Sequence, residues 1–235
     1  MNDHIIFKDI NSLTLGIVVS ELPEESIPEE RVTFTDVPGR SGALTQYEGR
    51  DVYNDVVKSM SCYIADYDAA QLDAVKDFFQ GAGELRLPTR PGGYWQATVV
   101  NETDFNKIVR GRAAREFVVT FRCKPLFYLD AGEEEQTIAS GDFLANPSSV
   151  AAKPRIEITG TGEITLLVGT QSVELKIEED GIVIDSELEE AYWGTQTKNG
   201  AMTGAFPLLG SGSTAISWSG GTVTSVKVTP RWVKK

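Results

Sequence analysis

Histidine and cysteine are scarce in this chain of 235 residues, which contains one histidine, His4, and two cysteines, Cys62 and Cys123. The HExxH zinc site, the Cys2His2 finger and the HxE…CxxC deaminase pattern are excluded, because their residue spacings are absent. Each cysteine lies in a strand-like stretch, so we expect two buried free thiols rather than a disulfide. We expect no cofactor, no metal site and no catalytic residue.

Long apolar runs and positive charge are also scarce. No run of eighteen or more apolar residues occurs, and the opening residues, MNDHIIFKDINS, lack the regions of a secretory signal. We therefore expect no membrane insertion and no export, which would leave both thiols reduced. Lysine and arginine number 22 against 34 aspartate and glutamate residues, a formal net charge of −12. This balance argues against broad binding to nucleic acid or anionic membranes.

Period-two alternation of polar and apolar residues predicts strands in the first half of the chain. They lie at Arg31–Thr35, Val56–Ala65, Trp95–Val100 and Glu116–Cys123. One segment has helical periodicity instead: in Asp68–Gln80, Leu72, Val75 and Phe79 recur on one face. Asp68 is a suitable N-cap and Gly81 a suitable stop, so we predict one helix of about three turns packed on a sheet.

The stretch Ala131–Ser149 changes character, with three consecutive glutamates followed by small and polar residues. We interpret it as containing a connection between domains. The predicted organisation is a β-rich domain with one helix over residues 1–130, a linker over 131–141 and a second domain over 142–235.

Strands and turns fill the remainder of the chain. Strands are predicted at Arg155–Thr159, Glu163–Val168, Ser172–Ile177, Gly181–Asp185, Thr214–Trp218 and Thr222–Thr229. The segments between them are interpreted as turns: Gly160-Thr161-Gly162, Glu179-Asp180-Gly181, Gly210-Ser211-Gly212 and Gly220-Gly221. Gly160–Gly162 and Gly210–Thr214 are not interpreted as phosphate loops, since neither opens a helix or ends in GK[ST]. This spacing predicts an antiparallel sandwich of about a hundred residues.

No motif for catalysis stands out. A glycosidase needs two carboxyl groups held across a cleft, which the sequence does not reveal. Glu187, Glu189 and Glu190 are interpreted as a solvated edge. The aromatic residues Trp193, Trp218 and Trp232 are candidates for a sugar-binding platform, although core packing or a subunit contact is favoured for each.

The most individual local feature of the first half is the segment Val37-Pro38-Gly39-Arg40-Ser41-Gly42. Proline at the second and glycine at the third position suit a type II turn, because proline fixes φ and glycine tolerates positive φ. Arg40 would then project from a rigid tip between two strands.

Other motifs follow this turn in a defined order. Tyr53 precedes a strand and the helix. In the second half, a strand ending at Asp185 precedes Tyr192, Phe206-Pro207-Leu208-Leu209-Gly210, a strand ending in Trp218-Ser219-Gly220, and Pro230-Arg231-Trp232. In this order the motifs resemble the distal tail protein (Dit) family of long-tailed, siphovirus-type bacteriophages, over nearly the whole chain. One departure is the pair Ser213-Thr214, where the family pattern has an asparagine after the glycine.

The resemblance implies a mainly β fold: an N-terminal β-rich sandwich or barrel domain with one helix, then a C-terminal galectin-like or carbohydrate-module-like antiparallel β-sandwich. It implies a structural hub that forms a homohexameric ring at the distal end of the tail tube, through which DNA passes without specific binding. Implied partners are the tail-tube protein, a tail-associated or tip protein and receptor-binding proteins. The implied structural and assembly motif comprises Val37, Pro38, Gly39, Arg40, Gly42, Asp185, Phe206, Pro207, Trp218, Gly220, Pro230, Arg231 and Trp232.

Two other functional classes remain open from the sequence. A carbohydrate-binding adhesion module would hold host-surface glycan on its C-terminal sandwich and would require an accessible aromatic platform. A hydrolase is the weakest alternative, because the polar constellation that catalysis needs is absent. For the leading interpretation, an acidic chain suits a DNA channel, since repulsion from phosphates prevents sticking.

Overall fold

A computed structural model describes residues 4–49, 51–65, 67–107, 114–178 and 180–235 of the chain. The chain divides into two compact units. The N-terminal unit ends at Phe127 and also holds Lys235, and the C-terminal unit runs from Tyr128 to Lys234. The predicted mainly β fold is confirmed, and the sheets of both units are antiparallel.

The N-terminal unit combines one main sheet with a helix and a separate two-stranded sheet. Its described elements are β1 (Ile6–Phe7), β2 (Ile10–Asn11), a 3-10 helix (Ser12–Leu15), β3 (Ile17–Glu21), β4 (Val32–Thr35), β5 (Leu44–Tyr47), β6 (Val56–Ala65), α1 (Ala69–Phe78), β7 (Ala82–Arg86), β8 (Gly93–Val99), β9 (Asn106–Lys107) and β10 (Ala114–Cys123), and β11 (Phe127–Leu129) begins at its last residue. The main sheet follows the order β2-β1-β7-β8-β10-β6-β3, and β4 pairs with β5 apart from it.

Strands β6 and β10 have the alternating burial that the period-two pattern of their sequences predicts. They pair along their whole length, and alternate residues of each are buried. A lysine on the buried face of β6, Lys58, lies with its Nζ atom 4.4 Å from the centre of the Trp95 ring, a cation–π contact. Burial lowers the pKa of Lys58, because the charged form loses hydration.

Helix α1 begins where the sequence predicts. The carboxylate of Asp68 accepts a hydrogen bond from the backbone N–H of Gln71 at 2.7 Å, which is an N-cap. The helix ends at Phe78 with Phe79 as its C-cap, and Gly81, the predicted stop, follows two residues later with a φ of 72°. Phe79 contacts the sheet through Phe117, with ring centroids 5.7 Å apart. The helix therefore covers the buried face of the main sheet.

Both thiols are free and fully buried. Cys62 pairs in register with Phe117, whereas Cys123 lies six residues further along β10, opposite Val56. Six residues of strand span about 20 Å, far beyond the reach of a disulfide. The structure therefore agrees with the expectation of two unbridged thiols.

We expect both thiols to resist modification in the folded protein. Burial raises the pKa of Cys62 to about 12 and that of Cys123 to about 11, so thiolate is rare at neutral pH. A chromogenic disulfide reagent should label neither thiol rapidly in the native protein and both after unfolding in denaturant. Rapid labelling of either cysteine without denaturant would contradict this burial.

The C-terminal unit is a β-rich unit with one hydrophobic core. Its described elements are α2 (Asp130–Glu133), β12 (Gln136–Ile138), β13 (Asp142–Asn146), β14 (Arg155–Val168), β15 (Gln171–Ile177), β16 (Gly181–Asp185), β17 (Glu190–Trp193), β18 (Gln196–Thr197), a 3-10 helix (Asn199–Ala201), β19 (Met202–Thr203), β20 (Gly212–Thr229) and β21 (Val233–Lys234). The order of its main sheet is β12-β20-β14-β16-β17-β18, and β15 pairs with β14 and β19.

The predicted hairpin turns at Gly160–Gly162 and Gly220-Gly221 are wrong. These glycines lie inside two long paired strands, β14 and β20, at positions where the register shifts. Such irregularities are β-bulges, which bend a strand pair without ending it. Strand β14 therefore pairs with β20 along its length on one edge. On its other edge, the first half of β14 pairs with β16 and the second half pairs with β15.

The predicted linker over 131–141 also needs correction. Part of it forms α2, and Gln136–Ile138 forms β12, which pairs with Val226–Val228 of β20. Ile138 belongs to the core of the C-terminal unit. The segment is therefore part of that unit, because its few apolar residues pack despite its acidic composition.

Candidate functional site

The hairpin β4–β5 carries an unusual set of exposed apolar side chains, and we call the segment Val32–Tyr47 the arm. Phe34 is 69% exposed, Tyr47 61% and Leu44 46%. These residues lie on both faces of the hairpin, since Val32 pairs with Tyr47 while Thr35 pairs with Leu44. Clustered exposed apolar residues mark interaction surfaces. The arm is therefore a candidate contact site for another protein chain.

Hydrogen bonds fix the base of the arm to the segment before β6. The backbone N–H of Arg31 donates to the carbonyl of Val52 at 3.0 Å, and that of Asn54 donates to the carbonyl of Glu29 at 2.8 Å. Beside them, Tyr53 is buried and its hydroxyl donates to the carboxylate of Asp51 at 3.1 Å. The exposed hairpin thus starts from an anchored base.

The tip of the arm has the predicted turn. The N–H of Arg40 donates to the carbonyl of Val37 at 3.1 Å, and Gly39 has a φ of 80°. Together with Pro38 at the second position, these features define a type II turn. Val37, Pro38, Gly39, Arg40 and Gly42 are all exposed, and Gly42 also has a positive φ.

Replacing Gly39 by valine should therefore destabilise the arm through backbone strain alone. A Cβ at this position would meet no atom within 4 Å, so the cost is that of a β-branched residue in the left-handed region. We expect a loss of about 1–3 kcal/mol, measured as an increase in amide hydrogen exchange across the arm. Pro38→Ala should have a smaller effect, acting mainly on the unfolded chain. Equal exchange in the glycine variant and the parent would refute the turn.

In the C-terminal unit, Asp185 and Arg231 form a two-point ion pair. The Nη1 and Nη2 atoms of Arg231 donate to the two carboxylate oxygens of Asp185 at 2.6 and 2.8 Å. Asp185 also accepts hydrogen bonds from the N–H groups of Glu187 and Leu188 at 3.0 and 3.1 Å. Burial alone would raise the pKa of Asp185, but the hydrogen bonds from Arg231 and Leu188 outweigh it and lower the pKa.

The chain around this ion pair is locked by further contacts. Arg231 has a φ of 54°, and its N–H donates to the carbonyl of Gly132 at 2.8 Å. The hydroxyl of Tyr128 donates to Glu187 at 3.1 Å, and an oxygen of Glu187 lies 3.6 Å from Nη1 of Arg231. Glu187 is thus part of a polar network and not of a solvated edge, whereas Glu189 and Glu190 are exposed as expected.

The structure brings together some of the motif residues and separates others. Pro230 and Trp232 are buried on either side of Arg231, close in sequence to the ion pair. Phe206 and Trp218 pack at the margin of the core, Pro207 is buried, and Gly220 lies at the bulge of β20. These residues stabilise the C-terminal unit. The five turn residues lie in the other unit.

Among the residues that the structure describes, no three metal-binding side chains form a cluster that would hold an ion. In the same residues, no helix is both long and apolar enough to cross a bilayer.

Comparisons with known proteins rest on structure. No protein-family model and no curated protein sequence matches the chain. The crystal structure of the Dit protein of phage SPP1, described as a paradigm of the hub adsorption apparatus in phages infecting Gram-positive bacteria, matches with a TM-score of 0.75 and 11% identity. The match covers 97% of this chain and 98% of that one. The chain has the fold of a phage distal tail protein.

Two structures of the phage P2 baseplate in its activated conformation give a similar but weaker match. The structure with Ca has a TM-score of 0.51 at 10% identity and covers 100% of this chain and 98% of that chain. The structure with Sr has the same TM-score and identity and covers 97% of each chain. The resemblance seen in the sequence motifs is thus confirmed at the level of the fold.

Sequence reasoning missed the apolar surface of the arm. It predicted a strand at Arg31–Thr35 and the turn after it, but not the returning strand β5. The strand-favouring residues Thr45 and Tyr47 were an available signal. That these side chains are exposed follows only from the separation of the hairpin from the main sheet.

Proposed function

We propose that this protein is a structural hub of a bacteriophage tail tip or baseplate. The N-terminal unit forms a homohexameric ring at the distal end of the tail tube, and DNA passes through the ring at ejection. The C-terminal unit anchors tip or receptor-binding proteins. The observation that best supports this proposal is the structural match to phage SPP1 Dit, which extends over 97% of this chain and includes both units.

The arm supports the assignment of self-assembly to the N-terminal unit. A ring needs two different complementary patches on each copy, because its interface is heterologous. An anchored hairpin with exposed Phe34 and Tyr47 on one face provides one apolar patch. Apolar contact also suits copies that each carry a formal charge of −12, since it adds no further like-charge repulsion.

The role of the hub is structural, and no catalysis is proposed. The ring contacts the tail-tube protein on one side and a tail-associated or tip protein on the other. Excess negative charge would keep passing DNA from sticking to the channel, since like charges repel. Assembly takes place in the host cytoplasm, and the mature protein resides at the tail tip of the virion.

Ring formation can be tested with a matched pair of phenylalanine substitutions in the full-length chain. Phe34 in the arm and Phe143 in the C-terminal unit are both 69% exposed. Phe34→Ser should reduce or abolish six-fold rings in negative-stain images and shift sedimentation toward the monomer. Phe143→Ser should leave the rings intact, because the same change is made outside the N-terminal unit.

Ring assembly is to be measured at high protein concentration and in the presence of tail tubes, which supply a template. Absence of rings from the parent protein under both conditions would overturn the proposal. If rings survive Phe34→Ser but are lost with Phe143→Ser, the ring interface lies in the C-terminal unit and not in the N-terminal unit.

A further inference from the structure

A second exposed surface lies on the main sheet of the N-terminal unit, on the side opposite the buried one that helix α1 covers. Strands β6 and β10 pair along their whole length here, and their outward side chains alternate with buried ones. Val57 is 61% exposed, Val118 49% and Val100, just after β8, 52%. We call the outward side chains of β6 and β10, together with Val100, the outer face. Apolar side chains exposed together mark an interaction surface.

Small hydroxyl groups fill the outer face between the valines. The hydroxyls of Ser59 and Thr120 share a hydrogen bond of 3.0 Å. The side chain of Asn101 holds the edge of β10, since its oxygen accepts from the N–H of Thr120 at 2.7 Å and its nitrogen donates to the carbonyl of Val118 at 2.8 Å. The middle of the outer face is thus uncharged and lies on a fixed backbone. Charged residues are also depleted at the centre of protein interfaces.

The two ends of the outer face differ in charge. At one end, the Nε atom of Arg122 donates to the carboxylate of Asp55 at 2.7 Å, so the two charges neutralise each other. At the other end, Glu116 lies opposite Tyr63 and is exposed. Glu116 forms no ion pair with any residue in the described part of the chain. The outer face is therefore negative at one end and neutral at the other.

One side of the arm has the same order of features. Phe34 and Tyr47 share a face of the hairpin, and both are more than half exposed. Arg40 at the tip is exposed and has no ion-pair partner among the residues that the structure describes. The other charged residue of the arm, Asp36, precedes the turn. The arm therefore runs from an apolar base to a positive tip.

The spacing of these features is the same on both surfaces. Phe34 and Pro38, at the tip of the arm, are four residues apart, and so are Ser59 and Tyr63 on β6. Four residues of extended chain span about 13 Å. Tyr63 pairs in register with Glu116. An arm with Phe34 above Ser59, between the valines, therefore brings its tip to the negative end of the outer face.

We propose that the outer face binds the arm of a neighbouring copy of this chain, with the apolar side of the arm on the valines and Arg40 beside Glu116. The inference rests on the proposed ring and names the second patch that a heterologous interface requires. The reversed orientation would leave Arg40 without a free carboxylate, because Asp55 is already paired with Arg122. Each copy carries a formal charge of −12, so an uncharged centre also limits repulsion between copies.

The test mixes two full-length variants that are each defective in one patch. Phe34→Ser weakens the arm and keeps the outer face, whereas Val118→Lys places a charge on the outer face and keeps the arm. Each variant alone should stay monomeric in sedimentation velocity. Their mixture should form heterodimers through the one intact arm and the one intact face, and no rings, because the remaining patches are both defective. Leu167→Lys, a similar change on an exposed strand position of the C-terminal unit, should form rings as the parent does.

The same mixture tests the charge pair at the tip. Arg40→Glu, added to the variant that keeps its arm, should weaken the heterodimer about fivefold, as expected for an exposed ion pair. Glu116→Arg, added to the variant that keeps its outer face, should have the same effect. The two reversals together should restore the affinity, because opposite charges meet again. Lys76→Glu is the matched control, since Lys76 is an exposed cation on helix α1, and it should leave the affinity unchanged.

The outcomes separate this inference from the proposed ring. Rings from the parent without heterodimers from the mixture would overturn the docking and leave the ring proposal standing. Heterodimers without rings from the parent would support the docking and overturn closure into a ring. Rings formed by Val118→Lys alone, or no recovery when both charges are reversed, would also overturn the docking as described. Unchanged amide exchange in β10 checks that Val118→Lys is folded, and Val57→Lys provides a second variant of the outer face on the neighbouring strand.

Discussion

Replacing Asp185 by alanine should destabilise the C-terminal unit by about 3 kcal/mol, the lower part of the range for breaking a buried ion pair. The side chain of Asp185 is 3% exposed, so its loss removes a desolvated partner from Arg231. It also leaves the N–H groups of Glu187 and Leu188 without their acceptor. We choose the lower part of the range because Glu187, 3.6 Å away, remains as a second partner for Arg231.

The measurement is amide hydrogen exchange, in β16 for Asp185→Ala and in β10 for its control, because each strand reports on the unit that contains it. Asp55→Ala is the matched control, because Asp55 forms an ion pair of 2.7 Å with Arg122 on an exposed surface. That pair should contribute no more than about 1 kcal/mol. Similar effects for the two substitutions would contradict the special role of the Asp185–Arg231 pair.

The acid dependence of stability provides a second measure of the same pair. Since the folded-state pKa of Asp185 is lowered, its contribution is complete above the unfolded pKa of about 3.9. The contribution is then lost as the pH falls through the folded-state pKa. Between neutral pH and this acidic range, stability should therefore fall more in the parent than in Asp185→Ala. Parallel pH profiles would show that the pKa of Asp185 is not lowered.

The sequence predicted elements whose signals are local. Helix α1 was found because Asp68 marks its start, Gly81 lies shortly after its end and Val75 lies on its buried side. Strands β6 and β10, although not their pairing, were found because both alternate between a buried and an exposed face. These signals depend on neighbours one to four residues away, so no knowledge of the partner strand was needed.

The features that were missed depend on partners distant in sequence. Arg231 meets Asp185 across 46 residues, and nothing in the segment Pro230–Trp232 by itself specifies that contact. The segment 131–141 was predicted to be a linker from composition, yet β12 pairs with the end of β20. For the candidate site, motif order indicated the turn Val37–Gly42 but did not reveal the exposed apolar side chains of the arm.

Glycine in a strand illustrates this ambiguity in physical terms. A glycine pair between two alternating segments is typical of a hairpin turn, but a bulge needs the same backbone freedom. The choice depends on whether a neighbouring strand continues past the glycine. Here β14 runs alongside β20 on both sides of Gly220, so the strand bends and does not reverse.

Replacing Gly220 by valine should accordingly be among the most damaging changes in the C-terminal unit. Gly220 has a φ of 79°, in the region that costs a non-glycine residue about 1–2 kcal/mol. A Cβ here would also lie 2.5 Å from the carbonyl oxygen of Glu163 on the paired strand, so one backbone must move. We expect a total loss of more than about 2 kcal/mol, because strain and displacement of a paired strand add together.

Two other glycines separate these contributions within the same unit. Gly212 has a φ of 80° but open space around a Cβ, so Gly212→Val should show only the strain, about 1–2 kcal/mol. Gly210 has open space and no left-handed φ, so Gly210→Val should change stability by less than about 0.5 kcal/mol. Denaturant unfolding of the three variants, followed by tryptophan fluorescence, should rank the losses Gly220 above Gly212 above Gly210. If Gly220→Val loses no more stability than Gly212→Val, then β14 can move away from the added side chain at no cost. The bulge would then not hold the two strands in register.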